Sequence, residues 1–502
     1  MELSNLERQR LEKLERLQSE GLDPYPPRAE RTHSAAQAIA AYEAGGEGLE
    51  VTVTGRLRSI RVMGKASFAH VEDESGKIQL LLRVNDLGEE SYERFKRDFD
   101  LGDFVEATGK LMRTRTGEIT IQADHLRMLA KALTPLPWGK EQRTEDEVVR
   151  YSALSDVEER YRQRYADLAV YPRAREIFRI RTRTIAAIRR FLNERGFLEV
   201  ETPVLQPIYG GAAARPFITH HNQLHEDLYL RISFELYLKR LLVGGYERVY
   251  EIGKDFRNEG VSHKHNTEFT MLEFYAAYLD YRDVMDLCEE MVATVAEEVL
   301  GTTTVTYQDH TIDLSPPWRR VTLREIILEA SGIDYVEHPN AEELAKAMRA
   351  IGRQPEPDAS WGKLIDNSLL GSMVEPMSIQ PIIVHDYPRE ISPLAKAKPD
   401  DPTHVERFEF FIGGMEVGNA FTELNDPLDQ EQRFLEMGRL YEPDDEEAHP
   451  MDEDYIRAMM YGMPPNGGFG MGIDRLVMLL TNQASIRDVI LYPHLRPKES
   501  TE

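Results

Sequence analysis

A chain of 502 residues with 41% hydrophobic content is long enough for two or more domains, each with its own core. Apolar runs of about 18 residues are absent and the opening MELSNLERQRLEKLERL is charged throughout, so the expectation is a cytoplasmic protein with neither membrane span nor secretory signal. A net charge of −26, to which runs such as EPDDEE (442–447) contribute much, argues against nonspecific coating of nucleic acid; charge acts locally, and a nucleic-acid partner has to be met by local basic patches.

Leu6, Leu11, Leu14 and Leu17 recur at helical spacing until GLDPYPP stops them, which predicts a helix over 3 to about 20 within an N-terminal helical extension, 1–48. From 49 to 134, short β-rich runs alternate with turn signals at the spacing of a small barrel. Within it Phe68 and His70 share one face of a strand and Gln79 lies on the next. That puts a ring near an amide able to read a base edge, although from the residues alone Phe68 reads rather as plain barrel core. Glu118 follows in the turn-and-strand TGEITI. The proline-bearing, charged stretch around 135–160 has little apolar periodicity and reads as a linker to a second domain, 161–502.

That domain opens with an amphipathic helix, Arg173 to Arg195, ended by Gly196 and followed by a short strand that Pro203 stops. YGGAAARPFITHHN then supplies small residues, Gly211 among them, that suit close approach of backbone to a ligand. Residues 248–278 read as two strands joined by a long polar loop. By the two-residue period Val249, Glu251, Gly253, Asp255 and Arg257 share one face, as do Phe269, Met271, Glu273 and Tyr275. A guanidinium, an aromatic plane, a carboxylate and a phenol on one face suit a planar base, a phosphate and a cationic ligand; a surface hairpin with exposed charges has the same pattern. Helical segments follow, with an inserted module at about 320–375 to which the sequence gives no chemistry; Cys288, the single cysteine, falls in an amphipathic pattern and reads as core.

HVERFEFFIGGMEVGNAFTEL reads as a hairpin turning at Gly413-Gly414, which sets Phe411 opposite Glu416 and makes Glu409 its diagonal neighbour. Two carboxylates so placed either share a divalent cation, with phosphates nearby Mg2+, or form an exposed acidic pair. Asn419, Phe421 and Glu423 share a face that simple alternation puts opposite Glu416, unless a bulge at Gly418 resets it. Last, PPNGGFGMGIDRLVMLLT is a glycine-rich strand entering a helix, with Asp474 as its expected cap and Arg475 in its first turn; its glycines lack the G-x-G-x-x-G spacing.

FRNEG, a polar loop and then HNTEFTMLEFY resemble motif 2 (about 248–278) of the class II aminoacyl-tRNA synthetases, in the form of the lysyl family. GFLEVETPVLQP resembles motif 1 (about 185–216), the glycine-rich strand and helix resemble motif 3 (about 467–481), and ASFAHVED with SGKIQLLL resembles the anticodon-binding OB-fold of the lysyl, aspartyl and asparaginyl families. The resemblance spans nearly the whole chain. It implies an α+β fold, an N-terminal OB-fold barrel plus an antiparallel catalytic sheet flanked by helices, and a homodimer built through motif 1. It also implies ATP-dependent activation of lysine and transfer to tRNA(Lys).

By residue, the resemblance implies that Arg257 and Arg475 are catalytic, with Arg257, Glu259, Lys264, His265, Asn266, Phe269 and Arg475 binding ATP. Lysine would be held by Gly211, Glu235, Arg257, Glu273, Tyr275, Asn419, Phe421 and Glu423, Mg2+ by Glu409 and Glu416, and the anticodon by Phe68, Gln79 and Glu118. At 264 the family usually has arginine. An aspartyl or asparaginyl member would need basic or neutral groups in place of these glutamates, and a protein-lysylating relative would lack the barrel.

Overall fold

Alternation of apolar and polar residues along 50–130 closes into a five-stranded barrel in this computed structural model, which describes residues 3–138, 140–143, 148–151, 154–440 and 450–497. Around the barrel the strands run Glu50–Met63, Ala66–Glu72, Lys77–Arg83, Ile119–Ala130 and Phe104–Arg113. Strand Ala66–Glu72 buries Ser67, Ala69 and Val71, so the period-two alternates Phe68 and His70 fall on the outer face. Helix Asn5–Ser19 starts from a capping box at Ser4 and buries Leu14 and Leu17, whereas Leu6 stays exposed. A second helix, Ala35–Glu43, precedes the first strand.

The chain divides into two units, Met1–Ser155 and Asp156–Glu502. The segment expected as a plain linker holds a two-stranded antiparallel ribbon, Lys140–Arg143 with Val148–Tyr151; four-residue strands are too short to show a period. The rest of that segment falls partly outside the described residues, and the acidic run 442–447 lies wholly outside them.

The second unit is organised on an eight-stranded sheet in the order Arg319–Thr322, Ile382–Pro388, His404–Ile412, Met415–Thr422, Asn466–Gly472, Glu268–Ala277, Arg248–Phe256, Leu198–Glu199. Its two outermost pairs are parallel and the rest antiparallel. Helices Pro172–Glu194, Tyr281–Leu300 and Ile473–Thr481 share one core with one face of this sheet, which contributes Tyr250, Leu272, Phe274, Phe410 and Phe469. Phe274 stacks on Phe469 at 4.7 Å between centroids, and Cys288 is buried in the same core. Since Leu272 and Phe274 face that core, Met271, Glu273 and Tyr275 must face the other way.

Three local features differ from simple expectation. The module expected to be wholly helical from about 320 begins within the sheet's edge strand, Arg319–Thr322, before helices Leu323–Ser331 and Ala341–Ala350 and the π-helical Leu364–Val374. The register between His404–Ile412 and Met415–Thr422 slips: Phe411 pairs with Glu416 but Phe410 pairs with Gly418. This is the bulge that Gly418 permits, because a Cβ there would overlap the Phe410 ring and lie 2.5 Å from the Gly470 carbonyl. Glu409 consequently sits opposite Asn419. Finally, Asp474 is not the helix cap; the helix starts at Ile473 after Gly472, and the buried Asp474 carboxylate accepts from the Thr270 amide at 2.7 Å and pairs with Arg181.

Candidate active site

Both hairpins turn their non-core faces toward one cavity of about 330 Å3. Arg248–Phe256 and Glu268–Ala277 pair in register, Glu251 opposite Glu273 and Asp255 opposite Phe269, so the alternation read from the sequence becomes one shared face. Phe269, Met271, Glu273 and Tyr275 line the cavity, with Arg257 just past the end of its strand. The bulge turns Glu416 to the same side as Asn419 and Phe421, and Glu409 joins them. Gly211 completes one wall at φ 87°, where a Cβ would meet Glu235 Cβ and Ser233 Oγ at 2.9 Å each.

The lysine-binding candidates form a buried acidic end. Ser233 Oγ donates to Glu273 Oε1 at 2.8 Å and the Tyr275 hydroxyl to Oε2 at 3.2 Å. Burial, then the negative charges of Asp255 and Glu235, push Glu273 up to about 8. Glu235 lines the cavity; Glu423 does not, lying behind Gly468 and paired with Lys239.

At the other end Arg257 lies 5.1 Å over the Phe269 ring, and its Nε finds no hydrogen-bond partner among the described residues. Arg475 donates to the Glu416 carbonyl at 2.5 Å, lies 3.2 Å from its carboxylate, and reaches His265 Nε2 at 3.2 Å. Burial would raise Glu416, but the guanidinium groups of Arg475, Arg407 and Arg257 together outweigh it and hold the carboxyl below its ordinary range. His265 is lowered by burial and by the same guanidinium, which favours the neutral ring. Asn266 Nδ2 donates to the Glu268 carbonyl at 2.6 Å, leaving its buried Oδ1 without a partner among the described residues. Glu259 lines the cavity, as does Lys264, which bonds Glu375 at 2.6 Å.

Glu409 is tied down by two groups the sequence reading passed over, Arg407 at 2.6 Å and the Tyr387 hydroxyl at 3.0 Å. Burial, with Glu416 nearby, still pushes it up to about 8 against the Arg407 charge. Arg407 also donates to Asn419 Oδ1 at 3.0 Å, so one guanidinium fixes a metal candidate and a lysine candidate together.

Comparison with known proteins fits this geometry. Residues 156–496 match the model of the tRNA synthetases class II (D, K and N), and residues 51–129 match that of the OB-fold nucleic acid binding domain. A lysine–tRNA ligase of Roseiflexus sp. (strain RS-1) is 56% identical over 501 residues, covering 99% of this chain and all of the relative. Those of Chloroflexus aurantiacus and Pelotomaculum thermopropionicum are each 54% identical over 500 residues, covering 99% of this chain and 99% and 96% of theirs. The chain belongs to the class II lysine–tRNA ligase family.

In this family member the barrel brings the three anticodon candidates to one place. Phe68 is half-buried on the outer face, not core, and His70 pairs across strands with Gln79. Gln79 Nε2 donates to Glu118 Oε2 at 2.7 Å, while His70 Nε2 lies 2.7 Å from Glu118 Oε1. Lys239 is the residue the sequence reading missed most completely. Glu235, Leu238, Lys239 and Leu242 are spaced i, i+3, i+4, i+7, and that shared face with two core leucines was the available signal.

Proposed function

We propose that this synthetase joins lysine to ATP as lysyl-adenylate and passes the lysyl group to the 3′ end of tRNA(Lys). The observation that carries the reading is the lining of one cavity: the buried Glu235 and Glu273 at an end with no basic side chain on its wall among the described residues, and Arg257, Arg407 and Arg475 beside Glu409, Glu416 and the Phe269 ring at the other. An amino acid with a cationic tail and a free carboxylate fits that gradient; an acidic or neutral tail would leave desolvated carboxylates facing nothing.

In the first step a lysine carboxylate oxygen attacks the α-phosphorus, and the bond to pyrophosphate breaks. The carboxylate is ionised at neutral pH, so no general base is needed; positioning and charge neutralisation carry the step. Arg257 grips the lysine carboxylate and the α-phosphate, Phe269 and Arg475 sandwich the adenine, Glu259 and Asn266 seat the nucleotide, and Lys264 and His265 face the terminal phosphates. Gly211, Glu235, Glu273, Tyr275, Asn419 and Phe421 hold lysine, its α-ammonium at Glu235 and its ε-ammonium toward Glu273 and Tyr275, with Glu423 adding its charge from behind the wall at Gly468. In the second step a terminal ribose hydroxyl of tRNA attacks the lysyl carbonyl and AMP leaves.

Glu409 and Glu416 suit Mg2+. Both are carboxylates on the wall of the same cavity, and burial of Glu409 beside a second acid is a cost that a cation relieves. These two residues would hold the ion; among the described residues no group of three or more His, Cys, Asp and Glu converges on a metal position. Bound there, Mg2+ would offset phosphate charge as pyrophosphate leaves.

Phe68 would stack on an anticodon base that Gln79 and Glu118 read by its edge. The motif 1 resemblance supports a homodimer, and a tRNA substrate supports a cytoplasmic location. No helix among the described residues is long and apolar enough to cross a membrane. The reading is tested with labelled lysine, ATP and a panel of tRNA transcripts. Label should enter tRNA(Lys) in an ATP-dependent way; label in no tRNA would overturn it.

A further inference from the structure

The acidic end of the cavity already contains an ammonium group that belongs to the protein. Lys239, on helix Glu235–Val243, is fully buried. Its Nζ bonds Glu235 Oε1 at 2.5 Å and forms an ion pair with Glu423, and it lies 5.4 Å from the Phe421 ring and 5.8 Å from that of Tyr275. Four residues assigned to lysine binding therefore also surround the cation of Lys239. Glu235, Tyr275 and Phe421 line the cavity and Lys239 does not, so it stands directly behind the wall. Glu423 is also behind it, at Gly468, where a Cβ would overlap Glu423 Oε1; that oxygen has no hydrogen-bond donor among the described residues.

A buried lysine is costly and survives only where charge compensates it. Burial would strip the Lys239 proton, but Glu235 and Glu423 outweigh it and raise its affinity for protons above the ordinary lysine value. Fully ionised, Glu235 and Glu273 on the cavity wall and Glu423 behind it would carry three negative charges, of which Lys239 offsets one and leaves two. The substrate of the proposed reaction carries two ammonium groups, and its own carboxylate is met by Arg257.

We infer that Lys239 is a positioning and specificity residue of the amino-acid pocket, a built-in cation that aims Glu235 and Glu423 and favours their charged forms, so that the acidic end, once ionised around substrate, matches the two ammonium groups of lysine. The inference rests on the lysine-activating reading above. The other titratable groups facing these three are Tyr275 from its strand, Glu273 beside it, Tyr455 from helix Glu453–Met460 and Arg407 toward Glu235. Burial raises Glu235 and Glu423 even beside Lys239, which works against it; without Lys239 they would need a still higher pH to ionise, so lysine affinity should become more strongly dependent on pH.

The test is lysine-dependent ATP–pyrophosphate exchange with the full chain, Lys239→Met, and the double variant Lys239→Met/Glu423→Gln, with KM for lysine and for ATP across pH. Lys239→Met should raise lysine KM roughly ten- to a hundredfold, the range for loss of a charged hydrogen bond, with ATP KM changed less than about twofold. Its lysine KM should fall more steeply with rising pH than the parent's. The double variant, which removes a charge with its partner, should recover part of the loss. An unchanged lysine KM in Lys239→Met overturns the inference, and so does a loss equal for both substrates and independent of pH. If Lys239→Met is insoluble, the double variant decides. Soluble protein with lysine-dependent exchange supports the charge pairing, and an insoluble one assigns Lys239 to packing. Absence of lysine-dependent exchange in the parent would instead refute the underlying reading of the site.

Discussion

The ammonium of Lys264 lies 2.6 Å from the carboxylate of Glu375, an ion pair that spans 111 residues and ties the motif 2 loop to the end of the inserted helices. If Lys264 faces the terminal phosphates of ATP, Glu375 competes with them for it. Glu375→Gln should therefore lower ATP KM by roughly two- to fivefold, since a part-exposed pair is worth up to about 1 kcal/mol. ATP KM in the exchange reaction is the measurement, and an unchanged or higher value would count against the competition.

Glu273 gives the site a pH signature. Burial pushes it up to about 8, with Asp255 and Glu235 adding to the effect. A protonated carboxyl offers no charge to an ammonium, so lysine KM should fall as pH rises toward about 8 and level off above it. The same shift means that the ligand-free fold binds this proton more tightly than the unfolded chain does. Its contribution to stability is then present at low pH and lost as pH rises through about 8. Glu273→Gln should flatten this part of the lysine profile and raise lysine KM roughly ten- to a hundredfold. A parent profile with no inflection, or a variant that keeps it, would remove Glu273 from the pocket.

Much of this site was legible because a two-residue period survives folding. The faces read along 248–257 and 269–275 pair in register, and the conflict between Glu416 and the Asn419 face pointed to a break at Gly418, where the register does slip. What was not legible depends on contacts distant in sequence. Glu375 reaches Lys264 from a module with no chemical pattern of its own, and Asp474 looks like a helix cap until Thr270 and Arg181 claim it. Lys239 resembles the exposed member of an i, i+4 charge pair, and only the packing of Tyr275, Phe421 and Glu423 around it shows otherwise.

Phe68 sits on the outer face of the barrel, free of the core formed by Ala69 and Val71. Phe68→Ala should raise the KM for tRNA(Lys) in aminoacylation, since one base–aromatic stack is worth about 1 to 3 kcal/mol. Lysyl-adenylate formation, which involves no tRNA, should keep the parent's rate. Equal damage to both reactions would make Phe68 a structural residue.

Glu409→Gln and Glu416→Gln should each raise the Mg2+ concentration needed for half-maximal exchange and lower its maximal rate, with circular dichroism unchanged. Each removes one of two carboxylates that line the nucleotide end of the cavity. Because Glu409 also holds Arg407 and Tyr387, its variant should show the larger loss. A variant with the parent's Mg2+ midpoint and rate would show that its glutamate is no ligand.

The central claim, a cavity whose buried carboxylates select a cationic amino acid for activation, is tested most directly by ATP–pyrophosphate exchange measured separately with each of the twenty amino acids. The account predicts strong exchange with lysine and little with aspartate or asparagine, whose side chains would leave the buried Glu273 without a compensating substrate charge. Exchange supported by aspartate or asparagine and absent with lysine would contradict it.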